Sequence, residues 1–166
     1  MEKTARVRWS GGLHFDALTG LGGAAVLDGD DDVPGLRASE AVLVALGACA
    51  GSDVASILGK KRQPLTGYEV QVRGTQRGDH PRVFTTIEVL HIVHGPALDP
   101  EAVRRSIELS ATRNCPVTAQ LCSGDVVIDH RYRLEDEGPA PSRVVEVAQT
   151  GPHGRIVVHA HEHGTS

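Results

Sequence analysis

Three cysteine residues, Cys49, Cys115 and Cys122, are the side chains of this sequence best suited to chemistry. Their number is small and odd, which argues against the disulfide scaffold of a small secreted protein. They form no C-x-x-C pair, so their spacing gives only weak support for zinc binding. Two interpretations stay open, namely buried thiols that act as small apolar side chains and thiols that react as thiolates.

Proline follows Cys115 directly, and this predicts the backbone around that thiol. With Pro116 at the first helical position, Cys115 is the N-cap of a short helix that reaches about Cys122. An N-cap thiol faces unpaired backbone N–H groups, which lower a thiol pKa. Cys122 falls about 10 Å further along the axis, beyond the roughly 4.4–6.8 Å that separates the Cα atoms of a disulfide. We therefore predict a structural role for Cys122.

Cys49 lies in the middle of a predicted helix over residues 39–62. The stretch 41–51 is apolar on every side, which is typical of a helix at the centre of a protein. Gly47 and Gly51, one turn apart, weaken the helix and are expected where a backbone or a ligand approaches closely. A lone cysteine in such a helix is usually a core residue, but together with Cys115 it can form a peroxidatic and resolving pair.

The other elements predict an α+β fold with mostly antiparallel sheet, because strands and helices are segregated along the chain. A polar linker over residues 135–143 separates these elements from a last segment that is either a hairpin or a disordered tail. The predicted elements are a glycine-turn hairpin over 6–18, strands over 24–27, 68–73, 83–93 and 126–134, and a helix from Asp99-Pro100 to about Thr112.

The composition narrows the class of protein. A chain of 166 residues forms one compact domain, or one domain with an appendage. A net charge of −4 and an aromatic content of 3% argue against nucleic-acid binding. There is no run of about 18 consecutive apolar residues and no apolar segment near Met1, so we expect no membrane partner and, by default, a cytoplasmic location.

Two segments carry a resemblance to a known family. SEAVLVALGACAGSDVASILGKKR (39–62) resembles the central helix of the OsmC/Ohr family, the osmotically induced protein C and organic hydroperoxide resistance proteins. LSATRNCPVTAQL (109–121) resembles its second cysteine motif, and the 66-residue separation of Cys49 and Cys115 is similar to the family's spacing. The resemblance covers about residues 5–134 and is closest to a less-studied branch. It implies an OsmC-like domain over 1–134 and a C-terminal extension over 135–166.

This resemblance implies both an assembly and an activity. Family members form an intertwined homodimer whose long central helices are buried against each other's sheets. Each site has a reactive cysteine, matched by Cys49, and a resolving cysteine, matched by Cys115. They reduce organic hydroperoxides through a sulfenic acid and a disulfide, and a dithiol reductant restores the thiols. The resemblance implies no metal, haem or flavin cofactor.

The resemblance also implies a charged pair beside the thiolate. Studied members use an arginine from an early loop and a glutamate near the helix start, which match Arg37, with Arg8 as second candidate, and Glu40. Nine steps of about 100° place Glu40 opposite Cys49, so Glu40 either serves the partner subunit's site or stabilises the helix N-terminus. Asp53 shares a face with Cys49, where its charge raises the thiol pKa unless a backbone group or an arginine binds it.

Two other functions stay open. A non-enzymatic module would hold a small apolar or electrophilic ligand at the dimer interface, with Cys49 as a packing residue or a slow redox sensor. A metal-binding protein would use His159, His161 and His163, because alternate positions on a strand share a face. The alternative for these histidines is a polar terminus without a function.

Overall fold

The computed structural model describes residues 1–30, 32, 34–135 and 143–160. The chain divides into two compact units, residues 1–44 and 45–166, and each has its own sheet. The α+β class predicted from the sequence is confirmed. In chain order the elements are β1 Ala5–Gly11, β2 His14–Thr19, β3 Ala24–Asp28, α1 Ala38–Lys60, β4 Gly67–Gln76, β5 Phe84–His94, α2 Pro100–Leu109, a π-helical turn Ser110–Asn114, α3 Pro116–Leu121, β6 Val127–Glu135, β7 Val144–Thr150 and β8 Ile156–Val158.

The N-terminal unit is built on an antiparallel sheet of three strands in the order β1-β2-β3. Gly11 and Gly12, at φ 121° and 54°, make the turn of the first hairpin, as the sequence predicts. Trp9 is paired with Phe15, so the two aromatic side chains share one face of the sheet. Trp9 is 65% exposed and Phe15 36% exposed among the described residues, so this face presents two aromatic side chains that solvent still reaches.

The second unit has a five-stranded sheet in the order β4-β5-β6-β7-β8. All of its neighbouring strands are antiparallel except β5 and β6, which are parallel. The segregation of strands and helices that the sequence predicts therefore fails at this point, because α2 and α3 form a crossover between the parallel strands β5 and β6. The expected predominance of antiparallel pairing holds in both sheets.

The core of this unit lies between the helices and one face of the five-stranded sheet. Its members come from α1, α2, β5, β6 and β7 and include Val54, Leu58, Val93, Val103, Ile107 and Val147. Leu46, Ala50, Val54 and Leu58 repeat every four residues along α1, so one stripe of the helix is buried. This packing fixes the rotation of α1 about its axis and thereby the direction of the Cys49 side chain.

The opposite side of α1 stays exposed in the single chain. Val44 is 59% exposed, and Ala48, Ser52 and Ser56 follow it at intervals of four residues. By length and composition alone α1 could also cross a membrane, a property it shares with the core helices of soluble proteins. The sequence predicts a helix at the centre of the protein, but only one side of α1 is buried in the single chain.

The segment after α2 differs from the prediction of a regular helix to Thr112. The α-helix ends at Leu109, and residues 110–114 form one π-helical turn, in which the Cys115 N–H donates to the Ser110 carbonyl at 3.0 Å. β7 and β8 pair as a hairpin, and β7 also pairs with β6. The hairpin alternative for the last segment is therefore observed up to Val158.

Candidate thiol site

Helix α1 holds Cys49 between two glycines that lie against β4. A Cβ on Gly47 would lie 3.0 Å from Val72 Cγ2, and one on Gly51 would lie 3.2 Å from Val70 Cγ2. A close approach is therefore observed at these glycines, but the approaching groups are side chains of the sheet and not the backbone or ligand that the sequence predicts. Cys49 itself is partly exposed, and it lies on a helix that this packing holds in place.

The π-helical turn and α3 hold Cys115. Its backbone is extended, at φ −74° and ψ 106°, and Pro116 begins the helix, as the sequence predicts for an N-cap. The Thr118 N–H donates to Cys115 Sγ at 3.4 Å. Cys115 is 3% exposed and is therefore nearly enclosed.

The two sulfur atoms meet although 66 residues separate them. Cys49 Sγ and Cys115 Sγ are 2.9 Å apart, and both cysteines are free thiols. A disulfide bond is about 2.04 Å long, so a movement of roughly 0.9 Å would close it. Cys122 is also free and buried, and its sulfur faces the Ala119 carbonyl at 3.7 Å, within its own helix.

Burial dominates the ionisation of Cys49. It raises the pKa of the thiol to about 11, and contact with Cys115 and the charges of Cys115 and Asp53 act in the same direction. The backbone N–H of Val117 acts oppositely, by hydrogen bonding to the Cys49 sulfur. The first turn of α3 thus donates one backbone N–H to each sulfur, from Val117 to Cys49 and from Thr118 to Cys115.

Asp53 lies one turn after Cys49 and completes the cluster. One ligand atom each from Cys49, Asp53 and Cys115 lies within 4.8 Å of the other two. The Ser110 hydroxyl, from the π-helical turn, donates to Asp53 Oδ2 at 3.1 Å. The partner of Asp53 is therefore this hydroxyl, where the sequence favoured a backbone group or an arginine, and the predicted upward effect on the thiol pKa is confirmed.

A cavity of about 310 Å³ borders Cys115. The π-helical turn, α3 and the C-terminal hairpin form its walls, so strands beyond the predicted OsmC-like segment contribute to it. The lining residues include Arg113, Asn114, Cys115, Cys122, Thr150 and Ile156.

Comparison with known proteins identifies the family. The model of the OsmC-like protein family matches residues 29–131. The protein YhfA of Escherichia coli K12 is 38% identical over 130 residues, which cover 78% of this chain and 96% of YhfA. The chain belongs to the OsmC-like protein family. The family resemblance predicted from the sequence is therefore confirmed.

Solved structures share the fold of this OsmC-like protein. A hypothetical protein from Aquifex aeolicus VF5 superposes with a TM-score of 0.74 at 25% identity, over 83% of this chain and 99% of that one. An organic hydroperoxide resistance protein OsmC from Legionella pneumophila superposes with a TM-score of 0.57 at 14% identity, over 80% and 96% of the two chains. The second likeness is one of fold.

In this OsmC-like protein Arg37 and Glu40 bind each other at the start of α1. The Arg37 backbone N–H donates to Glu40 Oε2 at 3.0 Å, which is half of a capping box, and Arg37 Nη1 lies 3.9 Å from the same oxygen. Arg37 Nη2 also donates to the Asp30 carbonyl at 3.2 Å. These contacts fit the helix-terminus alternative for Glu40, and service to a partner's site stays a prediction. The helix begins at Ala38, one residue before the start predicted from the sequence.

Two features of the OsmC-like site were not predicted. Ser110 binds Asp53 from the π-helical turn, and Val117 donates its N–H to Cys49. Proline at 116 was the one signal for the second feature, because it fixes which N–H groups of the first turn are available. Of the three tail histidines, His161 and His163 lie outside the described residues.

Proposed function

We propose that this protein is a thiol-dependent peroxidase that reduces organic hydroperoxides, with Cys49 as reactive and Cys115 as resolving cysteine. The observation that carries the proposal is the 2.9 Å separation of the two sulfurs. Membership of the OsmC-like family and the fold shared with the Legionella organic hydroperoxide resistance protein support a role in redox chemistry or stress response.

The proposed reduction of the hydroperoxide has three steps. The Cys49 thiolate attacks the distal oxygen of the hydroperoxide, the O–O bond breaks, and Cys49 becomes a sulfenic acid, while the departing alkoxide takes a proton from water and leaves as the alcohol. The Cys115 thiol then attacks the Cys49 sulfur, which forms the disulfide and releases water. A dithiol reductant reduces this disulfide by exchange and leaves as its own disulfide. These steps need no metal, haem or flavin.

The arrangement supports each step with a specific contact. The Val117 N–H stabilises negative charge on Cys49. Among the described residues, the charges that act on this thiol are those of Cys115 and Asp53, and no arginine is one of them. Cys115 is within reach of the oxidised sulfur without any rearrangement of the helices. The cavity beside Cys115 leaves room for the reductant. Arg37 and Glu40 stay candidates for the partner's site in an intertwined homodimer.

The test is peroxide turnover by the full chain with cumene hydroperoxide and dithiothreitol. Wild type and Cys122→Ser should consume the first equivalent of hydroperoxide at similar rates, because Cys122 lies outside the Cys49–Cys115 pair. Cys49→Ser should have no activity, and Cys115→Ser should stop after one equivalent with a sulfenic acid that dimedone traps. Equal rates for wild type and Cys49→Ser would refute the proposal.

A second function is favoured by the raised pKa of Cys49. At about 11 it leaves little thiolate at neutral pH, which suits a ligand-binding or slow redox-sensing protein. Under this alternative, native mass spectrometry would reveal a bound small molecule, and Cys49 would react with hydroperoxide only over hours. The two functions therefore differ in rate and in retained ligand.

The proposed homodimer would cover the apolar face of the N-terminal sheet. Trp9, the single tryptophan, is 65% exposed on that face in one chain. Burial by a second copy should shift its fluorescence to shorter wavelength, and dilution that dissociates the dimer should reverse this shift. Sedimentation of a monomer at micromolar concentration, with a fully exposed Trp9 spectrum, would contradict the dimer.

We place the protein in the cytoplasm and retain the OsmC-like domain over 1–134 with an extension over 135–166.

A further inference from the structure

The thiol site gathers three groups that each carry a negative charge when ionised. Cys49 Sγ, Cys115 Sγ and a carboxylate oxygen of Asp53 lie within 4.8 Å of one another, and the last two each oppose ionisation of the first. Such repulsion is the reverse of what a lone reactive thiolate needs. A bound cation would turn the same repulsion into attraction, because thiolates and carboxylates are its natural ligands.

We propose that the reduced protein binds one Zn²⁺ per chain through Cys49 Sγ, Cys115 Sγ and a carboxylate oxygen of Asp53. Thiolates favour zinc over magnesium and calcium, which prefer oxygen ligands. Three protein ligands leave the fourth tetrahedral position open to water or a ligand. This binding does not depend on peroxidase activity.

The sulfur geometry suits two alternative states of the pair. Zinc–sulfur bonds of about 2.3 Å at tetrahedral angles separate two sulfurs by roughly 3.8 Å. The observed 2.9 Å lies between that value and the disulfide length of about 2.04 Å. A change of less than about 1 Å in the distance between the two sulfurs therefore leads either to metal binding or to disulfide formation.

Contacts around the three ligands already have the form of an outer shell. The Ser110 hydroxyl binds Asp53 Oδ2 at 3.1 Å and orients the carboxylate. Backbone N–H groups of Val117 and Thr118 donate to the two sulfurs and would reduce the excess charge of a dithiolate–carboxylate zinc site. Each ligand is thus supported by a neighbour that does not itself bind the metal.

Zinc binding and oxidation exclude each other. Binding releases the two thiol protons as both sulfurs become thiolates. A hydroperoxide takes two electrons from the zinc-bound thiolates and two protons from water, which gives the disulfide, free Zn²⁺, the alcohol and water. The disulfide no longer offers the two thiolate ligands, so the oxidised protein cannot hold the metal.

The test is a titration of the reduced full chain with Zn²⁺, repeated with Co²⁺ as a spectroscopic probe. We expect one ion per chain, near-ultraviolet thiolate-to-cobalt absorption, and loss of binding after oxidation to the disulfide. Cys49→Ser or Asp53→Asn should weaken zinc binding more than about a hundredfold, and Ser110→Ala by about tenfold. Cys122→Ser, which removes a thiol outside the cluster, should bind zinc like wild type.

Several results would overturn the inference. These are no stoichiometric zinc binding by the reduced wild type, equal binding by the disulfide form, or equal binding by Cys49→Ser. A cobalt complex without thiolate absorption would assign the metal to the tail histidines instead. Circular dichroism checks that each variant is folded. Zinc binding without peroxide turnover would refute only the proposed peroxidase, and turnover without zinc binding would refute only this inference.

Discussion

Two buried histidines predict an acid-dependent stability. His91 on β5 and His130 on β6 are 0% and 1% exposed, and their rings stack at 6.5 Å. Tyr68 Oη lies 2.6 Å from His91 Nδ1, whereas neither Nε2 atom has a hydrogen-bond partner among the described residues. Burial lowers the pKa of His91 to about 3, helped by His130, and the pKa of His130 to about 4, against the charge of Asp129.

The sign and size of the effect follow from these pKa values. Both folded values lie below the unfolded value of 6.5, so the unfolded chain takes up protons first as the pH falls. The stabilisation is complete above 6.5 and is lost as the pH falls toward the folded values. About 1.5 pH units below 6.5, each histidine has lowered the free energy of unfolding by about 2 kcal/mol, at 1.36 kcal/mol per pH unit. The two histidines together lower it by about 4 kcal/mol.

Urea unfolding at about pH 7.5 and about pH 5 measures this loss. His130→Leu removes one buried proton acceptor, so its free energy of unfolding should fall by about 2 kcal/mol less than that of wild type between the two pH values. His80, exposed in a turn, supplies the matched control, and His80→Gln should follow wild type. Equal losses for wild type and His130→Leu would refute the reasoning, whatever the variant's stability at neutral pH.

Two further predictions concern packing and the thiol. An alanine at Gly95 would bring its Cβ against the Pro64 carbonyl oxygen, so Gly95→Ala should lower the free energy of unfolding by more than about 2 kcal/mol. Gly59→Ala, in a helix with open space around the new methyl group, should instead be neutral or stabilising by up to about 1 kcal/mol. If the two glycine variants lost the same stability, the packing argument would be wrong. Asp53→Asn removes a charge that raises the Cys49 pKa, so alkylation of Cys49, followed by peptide mass spectrometry, should accelerate by up to about tenfold, the equivalent of one pKa unit. An unchanged or slower rate would show that Asp53 does not act on the thiol through its charge.

Local sequence signals predicted much of the frame of the site. Proline at 116 predicted the N-cap geometry of Cys115, and the apolar run around Cys49 predicted a long helix packed closely at its glycines. These features depend on neighbours in the chain, namely a fixed proline φ and the absence of side chains at glycine. The burial of only one side of α1 was not foreseen, because an apolar helix does not reveal which neighbours cover it.

Other features depend on contacts between distant segments and could not be inferred locally. The π-helical turn at 110–114 occurs where Ser110 meets Asp53 and Cys115 meets Cys49, partners about 60 residues away. The parallel pairing of β5 with β6 depends on where the crossover helices pack. Hydrophobic periodicity predicts strands but does not specify their order in a sheet.

The most direct test of the account is the identity of the bond formed when the reduced protein meets one equivalent of cumene hydroperoxide. Peptide mass spectrometry without reductant should find a Cys49–Cys115 disulfide, with the protein lighter by two hydrogens and Cys122 still open to alkylation. Three alkylatable thiols after the hydroperoxide is consumed, or a disulfide that contains Cys122, would contradict a redox pair built from Cys49 and Cys115.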